Sequence, residues 1–189
     1  IFVQGITKVQ VNNSSELIDL LDRGLNARTV AATKMNNTSS RSHAVVLISV
    51  TQQLEGLQRK GKLSVVDLAG SERAESTGAS GSTLVEAQNI NASLSVLGMC
   101  LSRLADVAEG KKGLHVPYRD SQLTFLLSEN LGGNSRTSML ANVSPADVNF
   151  EETLSTLRFA AVTKKVKTVA TVNESAATRQ IRELRGELE

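Results

Sequence analysis

The sequence has little of what usually cross-links or stiffens a small protein. It contains one cysteine, Cys100, and no tryptophan, and aromatic residues make up only 3% of its 189 residues. One cysteine excludes an internal disulfide and the multi-cysteine clusters of structural zinc sites. Because aromatic residues are scarce, the core must consist mainly of Leu, Val, Ile and Ala. We interpret Cys100 as one of these core positions.

Long apolar runs and a strong net charge are also absent. No apolar stretch approaches the roughly 20 residues that cross a bilayer, and no signal peptide opens the chain, so we predict no membrane insertion. A formal net charge of +2 is too small to favour nucleic acid, which leaves local basic patches for an acidic partner. The chain begins at Ile1-Phe2-Val3 without Met, and this predicts further sequence upstream.

The patterns that are present alternate between β-branched runs and helical periodicity, which predicts an α/β fold. Strands are predicted within Ile1–Val11 and over Ala44–Thr51, Leu63–Leu68 and Arg136–Val143. The second and third of these should pair antiparallel, because their connection is too short for a crossover helix. Helices are predicted from the capping pattern at Asn13 to Gly24, from Leu84 to Leu104, after Tyr118, and from Asn149 to Lys165.

Two polar loops carry the functional signal, and the first is Asn36-Asn37-Thr38-Ser39-Ser40-Arg41-Ser42-His43. A Ser-rich run is usually a solvated turn with local hydrogen bonds from side chain to backbone. Its functional interpretation is a nucleotide switch. A Ser hydroxyl is a hard oxygen ligand suited to Mg²⁺, which takes few protein ligands beside waters and phosphates. We interpret His43 as a loop anchor rather than a catalytic base.

The second loop, Asp67-Leu68-Ala69-Gly70-Ser71-Glu72, directly follows a predicted strand. In open α/β sheets ligands bind outside the carboxyl ends of strands. There Asp67 can hold a Mg²⁺-bound water, and the Gly70 N–H can approach a phosphate oxygen. An ordinary Asp turn is the alternative. Because both loops flank the same strand pair, we expect them to converge, with Arg41 and Glu72 forming an ion pair that closes over a nucleotide.

The two strings closely resemble switch I and switch II of the kinesin motor domain. The resemblance continues, in order, through Ala87–Leu94 with Leu97-Gly98, His115–Ser121, Asn130–Ser135 and Glu152–Ala160. It implies a partial P-loop NTPase-like α/β core, with a central mixed sheet flanked by helices. This chain would hold the C-terminal half of that core, and the N-terminal half would be missing.

The resemblance implies a role for each matched switch residue. Ser40 would bind Mg²⁺, and Asp67 would hold a Mg²⁺-bound water. Gly70 would sense the γ-phosphate through its N–H. Arg41 and Glu72 would form the closing salt bridge and organise the attacking water.

Further residues would support this chemistry. Asn36 and Ser39 would line the phosphates, and Asn91 would relay the nucleotide state along its helix. The implied ligands are ATP and Mg²⁺, and the implied reaction is phosphoryl transfer to water.

The resemblance also implies a face for the microtubule, whose tubulin surface is acidic. The residues assigned to it are Arg73, Lys111, Lys112, His115 and Arg119. On the residues alone, a solvated loop is the slightly favoured interpretation of Lys111-Lys112, and an ordinary surface or packing histidine is the favoured interpretation of His115. Arg119 differs from these residues because it lies in a motif that the kinesin family places at the microtubule contact. The implied location is the cytoplasm, on the microtubule cytoskeleton.

Within the family, the sequence resembles the kinesin-three class. Gln122 and Phe125 stand where many kinesins have basic residues, whereas that class often has apolar ones. We predict residues 1–163 as the second half of the motor core, with both switches and the microtubule-binding helices. Residues 164–172 would be the neck linker and residues 173–189 the start of a neck helix. A dimer through a neck coiled coil beyond residue 189 is compatible with this, and the linker's position implies plus-end movement.

One family motif does not occur: the phosphate-binding string Gly-x-x-x-x-Gly-Lys-[Ser/Thr]. Without it the phosphates lose most of their ligands, so we predict that these 189 residues alone neither bind nor hydrolyse ATP measurably. Two functions stay open: part of an ATP-driven microtubule motor, or a non-catalytic microtubule-binding or regulatory module derived from one. A GTPase is disfavoured because no guanine-reading Asn-Lys-x-Asp string occurs.

Overall fold

The computed structural model describes residues 3–32, 42–54, 57–70, 82–174, 179–181 and 183–184. Within these ranges the helices and strands are, in order, α1 (Ser14–Ala32), β1 (Ala44–Leu54), β2 (Leu57–Asp67), α2 (Ser82–Ala108), α3 (Gln122–Leu126), α4 (Ser128–Gly132) and α5 (Phe150–Thr163). Short 3₁₀ turns lie at Tyr118–Asp120 and Asp147–Asn149. The predicted α/β class is confirmed.

The described residues belong to two compact units. The first consists of the described parts of Ile1–Ala44, Leu68–Cys100 and His115–Leu126. It contains α1, all of α3 and most of α2, together with the end of the first polar loop. The second consists of the described parts of Val45–Asp67, Leu101–Leu114 and Leu127–Glu189. It contains the β-hairpin, the end of α2, α4 and α5, and the segment that follows α5.

α1 begins where the sequence predicts but ends later. The backbone N–H of Glu16 donates to Asn13 Oδ1 at 2.9 Å, and the Glu16 carboxylate accepts from the backbone N–H of Asn12 at 2.8 Å. These bonds satisfy N–H groups that have no partner within the first helical turn. The predicted stop at Gly24 is wrong, since the helix continues to Ala32. Glycine ends a helix through a left-handed φ, and Gly24 is not among the described glycines with positive φ.

β1 and β2 form a two-stranded sheet, and their short connection makes it antiparallel. This hairpin is the part of the predicted central sheet that the described residues contain. The strands predicted within Ile1–Val11 and over Arg136–Val143 are wrong for the described residues 3–11 and 136–143, which form no strand. A strand needs a hydrogen-bonded neighbour, and the described part of the chain supplies none to these two segments.

A stretch that partly resembles the phosphate-binding string overlaps β2, although its first glycine lies outside the described residues. Gly56, Gly61 and Lys62 have the required spacing, but Leu63 stands at the hydroxyl position. Leu57–Asp67 is a continuous strand of the hairpin, whereas a phosphate-binding loop connects a strand to a helix. This stretch therefore serves the sheet.

α2 is the longest described helix, with 27 residues, and it extends the predicted helix at both ends. Its buried side chains are Leu97, Cys100, Leu101 and Ala105, spaced by three and four residues as one helical face requires. Cys100 is 0% exposed, which confirms it as a core residue, and burial raises the pKa of its thiol. None of the described helices is long and apolar enough to cross a bilayer.

α3 fixes the loop that carries Arg119. The Thr124 side chain is 0% exposed, and its hydroxyl donates to the carbonyls of Tyr118 at 2.8 Å and Ser121 at 3.0 Å. Both bonds come from one hydroxyl, and the Ser121 carbonyl also accepts the Phe125 N–H at 2.9 Å. Connected hydrogen bonds therefore hold the backbone from the turn to the start of α3. The 3₁₀ turn Tyr118–Asp120 is thereby set against α3.

Candidate functional site

The last residues of the first polar loop are held by α1. Arg28 Nε donates to Ser42 Oγ at 3.1 Å, and Arg28 Nη2 donates to the Ser42 carbonyl at 2.7 Å. Both bonds are partly buried. A guanidinium presents its donors in a rigid fork, so two bonds to one residue fix position and orientation together. The chain therefore enters β1 from a defined point.

His43 connects three segments that are distant in sequence. Its Nδ1 accepts the backbone N–H of Ala69 at 3.0 Å, and its Nε2 lies 2.8 Å from Ser93 Oγ. Ala69 belongs to the second polar loop and is 4% exposed, while Ser93 lies on α2. The predicted anchoring role of His43 is confirmed, and Ala69 and Ser93 are two of its partners.

These contacts define the tautomer of the neutral imidazole. A backbone N–H can only donate, so Nδ1 of His43 must be the unprotonated nitrogen. The ring proton then lies on Nε2 and is donated to Ser93 Oγ. His43 is therefore both acceptor and donor, on opposite edges of one rigid ring.

Three more of the predicted site residues lie among the described ones. Asp67 is the last residue of β2 and is exposed. Gly70 follows three residues later and is half-buried. Asn91 is half-buried on α2, two residues before Ser93. Their proposed roles in nucleotide binding and relay stay predictions.

The other predicted switch residues lie outside the described residues. They are Asn36, Ser39, Ser40, Arg41, Glu72 and Arg73. The Arg41–Glu72 ion pair therefore stays a prediction, as do the roles of all six residues.

The donor chemistry around Asp67 fits Mg²⁺ rather than a metal bound by protein alone. Among the described residues, no three His, Cys, Asp or Glu side chains form a group that could hold a metal ion. Mg²⁺ usually keeps several waters and is held through one or two protein oxygens plus substrate phosphates. The exposed Asp67 carboxylate at the end of β2 is one oxygen ligand of this kind, and the serine predicted to bind Mg²⁺ lies outside the described residues.

Two of the predicted microtubule-binding residues follow the end of α2, and only one of them is paired there. Lys111 Nζ lies 2.6 Å from Asp106 Oδ1. The hydrogen bond between them raises the pKa of Lys111 and lowers the pKa of Asp106. Lys112 is exposed. The neighbouring carboxylate therefore offsets much of the local charge of Lys111, which the sequence reading did not anticipate.

The other two microtubule candidates are exposed as expected. His115 lies in the segment before the 3₁₀ turn, and Arg119 is in the middle of that turn. The bonds of Thr124 to both sides of the turn fix its backbone, so the Arg119 side chain projects from a rigid base. The exposure of His115 and Arg119 is compatible with the predicted microtubule contact, which stays a prediction.

The segment after α5 is extended and lies beside the hairpin. Residues 166–173 have no helical structure, as predicted, while Lys164 and Lys165 form a turn instead. The Lys60 N–H donates to the Asn173 carbonyl at 3.1 Å, and Arg59 forms an antiparallel bridge with Glu174. β2 therefore pairs with the end of this segment.

Asn134 holds the same segment from a loop. Its Oδ1 accepts the Thr171 N–H at 2.6 Å, and its Nδ2 donates to Asn173 Oδ1 at 2.9 Å. At the start of the segment, Lys165 Nζ lies 2.9 Å from Glu109 Oε1. An amide side chain can both donate and accept, so it can form hydrogen bonds to a backbone group and to a side chain at the same time.

Sequence reasoning gave no role to Arg28, Ser93 or Asn134. For two of them a signal exists. Ser93 lies on the apolar face of α2, three residues after Ile90, and Arg28 lies on the apolar face of α1, seven residues after Leu21. A polar side chain on a buried face needs a hydrogen-bonding partner. The positions of Arg28 and Ser93 therefore predict that each side chain has such a partner. Asn134 is in a loop, where no periodicity exists to mark it.

Comparison with known proteins gives a consistent result. A family model described as the kinesin motor domain matches residues 1–166. Kinesin-related protein 1 of Dictyostelium discoideum is 56% identical over 194 residues, covering 100% of this chain and 9% of the relative. Kinesin-like protein KIF1C of Homo sapiens is 55% identical, covering 99% of this chain and 18% of the relative. The chain thus spans less than a fifth of these relatives.

Solved structures agree with the sequence relatives. A microtubule-bound KIF14 dimer with AMP-PNP, in a two-heads-bound state, has a TM-score of 0.86 and 44% identity, and the match covers 97% of this chain and 52% of that one. The structure of a fast kinesin has a TM-score of 0.81 and 50% identity, covering 93% and 49%. The resemblance to the kinesin-three class is confirmed by relatives such as KIF1C, KIF1B and unc-104. This chain belongs to the kinesin motor-domain family.

Proposed function

We propose that the chain is part of a microtubule motor driven by ATP hydrolysis. One observation carries the proposal: a single chain contains both strings that resemble the kinesin nucleotide switches and, after α5, an extended segment held by Asn134 and β2. A motor needs both a nucleotide sensor and a lever in the same chain. The KIF14 structure, which holds AMP-PNP on a microtubule, supports the same reading.

The proposed reaction is attack of water on the γ-phosphorus of ATP, with ADP as the leaving group. Ser40 and Asp67 would hold Mg²⁺, Asp67 through a water, and the bound ion would neutralise phosphate charge. The Gly70 N–H donates to the γ-phosphate, and Asn36 and Ser39 line the phosphates. Arg41 and Glu72 close the site and orient the attacking water. Catalysis of this kind depends on positioning and charge stabilisation.

The proposed track contacts are electrostatic. Arg73, Lys111, Lys112, His115 and Arg119 would face the acidic surface of tubulin, and Asn91 would relay the nucleotide state along α2. Residues 1–163 are proposed as the second half of the motor core, 164–172 as the neck linker and 173–189 as the start of a neck helix. A location on cytoplasmic microtubules, and a dimer through a later coiled coil, follow from this proposal.

The test is ATP turnover by the full-length protein that contains this chain, with and without microtubules. We expect microtubules to raise turnover, and Arg41→Ala or Glu72→Ala to abolish the stimulated rate. The charge swap Arg41→Glu with Glu72→Arg should recover part of it, since the pair is proposed to act as a salt bridge. Arg23→Ala, on the exposed face of α1, is the matched control. Turnover that microtubules do not raise would contradict the proposal.

The second candidate is a non-catalytic microtubule-binding or regulatory module. The absence of a complete phosphate-binding string from these 189 residues favours it. It predicts co-sedimentation with microtubules but no ATP turnover by the full-length protein. Under the motor proposal, the phosphate-binding string is supplied by the rest of the protein. In either case residues 1–189 alone should show no saturable ATP binding in calorimetry.

A further inference from the structure

We propose that His43 is a positioning residue that couples the Ala69–Gly70 backbone to α2 through Ser93. Its place in a motor cycle rests on the proposed function, but the physical coupling does not.

The contacts of His43 favour transmission over simple anchoring. The Ala69 N–H and Ser93 Oγ are bound by opposite edges of one imidazole, at 3.0 Å and 2.8 Å. The ring is planar and rigid, so it has no internal torsion to absorb a change in the distance between its partners. Hydrogen bonds weaken steeply when they are bent. A shift of the Ala69 backbone must therefore move the ring, and the ring must move or release Ser93.

The backbone of His43 is itself restrained. Ser42 is held by two bonds from Arg28, and β1 begins at Ala44. His43 therefore pivots about a fixed point, and its side chain is the part free to follow its partners. Ala69 directly precedes Gly70, and Ser93 lies two residues after Asn91. The coupling thus joins the proposed phosphate sensor to the proposed relay helix.

The contacts are also interdependent. Nδ1 accepts only if the ring proton lies on Nε2, and the Ser93 hydroxyl stabilises that tautomer by accepting the proton's hydrogen bond. Removal of the Ser93 hydroxyl should therefore weaken the bond to Ala69, on the other side of the ring. A histidine that only fills space would show no such dependence.

The first test is hydrogen exchange at the Ala69 amide in the full-length protein, resolved to single residues by fragmentation. Ser93→Ala should accelerate this exchange about fivefold, which corresponds to about one net hydrogen bond. Ser93→Thr keeps the hydroxyl and should restore slow exchange. Ser95→Ala, on an exposed position of the same helix, is the matched control. Equal exchange in Ser93→Ala and Ser95→Ala would overturn the proposal.

The second test is a double-mutant cycle read out as microtubule-stimulated turnover. His43→Asn keeps an acceptor near the Nδ1 position but cannot reach Ser93. Ser93→Ala should therefore lower stimulated turnover in the parent protein and have no further effect in His43→Asn, because contacting residues are non-additive. Additive effects would overturn the coupling. If microtubules do not stimulate the parent protein, the proposed function fails, and the exchange test still decides the role of His43.

Discussion

Two segments of this chain are held by side-chain hydrogen bonds, and the environments of those bonds differ. Ser42 and His43, at the end of the first switch string, are bonded to Arg28, Ala69 and Ser93 in partly buried surroundings. Thr171 and Asn173, in the segment after α5, are bonded to Asn134 at the exposed surface. The first group is partly shielded from water, whereas the second is exposed to it.

The difference sets how easily each segment can be released. A buried polar group that loses its partner bears its full desolvation cost, whereas an exposed group exchanges its partner for water at little cost. The segment Ser42–His43 is therefore suited to transmit a displacement while its hydrogen bonds stay intact. The segment after α5 is suited to attach and detach. The following predictions test this contrast, beginning with the largest expected effect.

Arg28→Met should be the most damaging change. It keeps much of the apolar stem but removes both donors to Ser42. A hydrogen bond to a charged group contributes about 1.5–3 kcal/mol, and the two bonds here are only partly buried and share one guanidinium, so we do not expect them to add in full. We expect the free energy of unfolding to fall by about 2–3 kcal/mol in urea denaturation. The free energy of unfolding of Arg28→Lys should lie between those of the parent and Arg28→Met, since lysine keeps the positive charge but not the two-pronged set of guanidinium donors. Arg23→Met, at an exposed position of α1, is the control, and equal losses at both positions would remove the contrast.

Asn134→Ala should act locally. It removes the acceptor of the Thr171 N–H and the donor to Asn173, in surroundings where water can replace both. We expect exchange at the Thr171 amide to accelerate about fivefold, equivalent to about 1 kcal/mol, with little change in global unfolding.

Two variants sharpen this test. Asn134→Asp keeps the acceptor for Thr171 and should accelerate exchange less than Asn134→Ala. Asn142→Ala, at another exposed position, should leave Thr171 unaffected. A large loss of global stability in Asn134→Ala would show that the exposed anchor is as integral to the fold as the buried one.

Glu109→Lys should weaken the start of the same segment by a smaller amount. Glu109 and Lys165 are both about half exposed, at 2.9 Å, and exposed ion pairs contribute about 0.2–1 kcal/mol. Exchange at the Val166 amide should rise modestly in low salt and return towards the parent rate in the swapped pair Glu109→Lys with Lys165→Glu. High salt should remove the difference. A salt-independent effect would point to packing rather than charge.

Asp106→Asn should have the smallest effect, and it should be on binding. Without the carboxylate, the pKa of Lys111 falls back towards its ordinary value, but the ammonium stays charged at neutral pH and is no longer offset. Co-sedimentation with microtubules should strengthen slightly at low salt. Asp19→Asn on α1 changes the net charge equally at an exposed position. If both variants bind alike, Lys111 does not face the track.

The Asp106–Lys111 pair also predicts how stability depends on pH. Because the pKa of Asp106 is lowered in the folded state, its contribution is present above the unfolded value of about 3.9 and is lost as pH falls through the folded value. Because the pKa of Lys111 is raised, its contribution is present below about 10.4 and is lost as pH rises through the folded value. The pair therefore adds no pH dependence near neutrality.

Elements with a local signal were predictable, within limits. The capping pattern at Asn13 placed the start of α1, and the three- and four-residue spacing of Leu97, Leu101 and their neighbours predicted α2. The errors came where a local signal has two meanings. Gly24 is typical of a helix stop but is tolerated within α1. Arg136–Val143 has a strand-like composition, yet strand formation depends on a partner elsewhere in the chain.

The family, the α/β class and the order of the switch strings are determined by the sequence, because they depend on residue identity and short spacings. Which side chains meet is not. His43 and Ser93 are separated by 50 residues, and Asn134 and Thr171 by 37. Such contacts depend on how whole elements pack, and residue periodicity describes one element at a time. Only the tertiary structure could reveal that the two anchors exist, and that one is partly buried while the other is exposed to water.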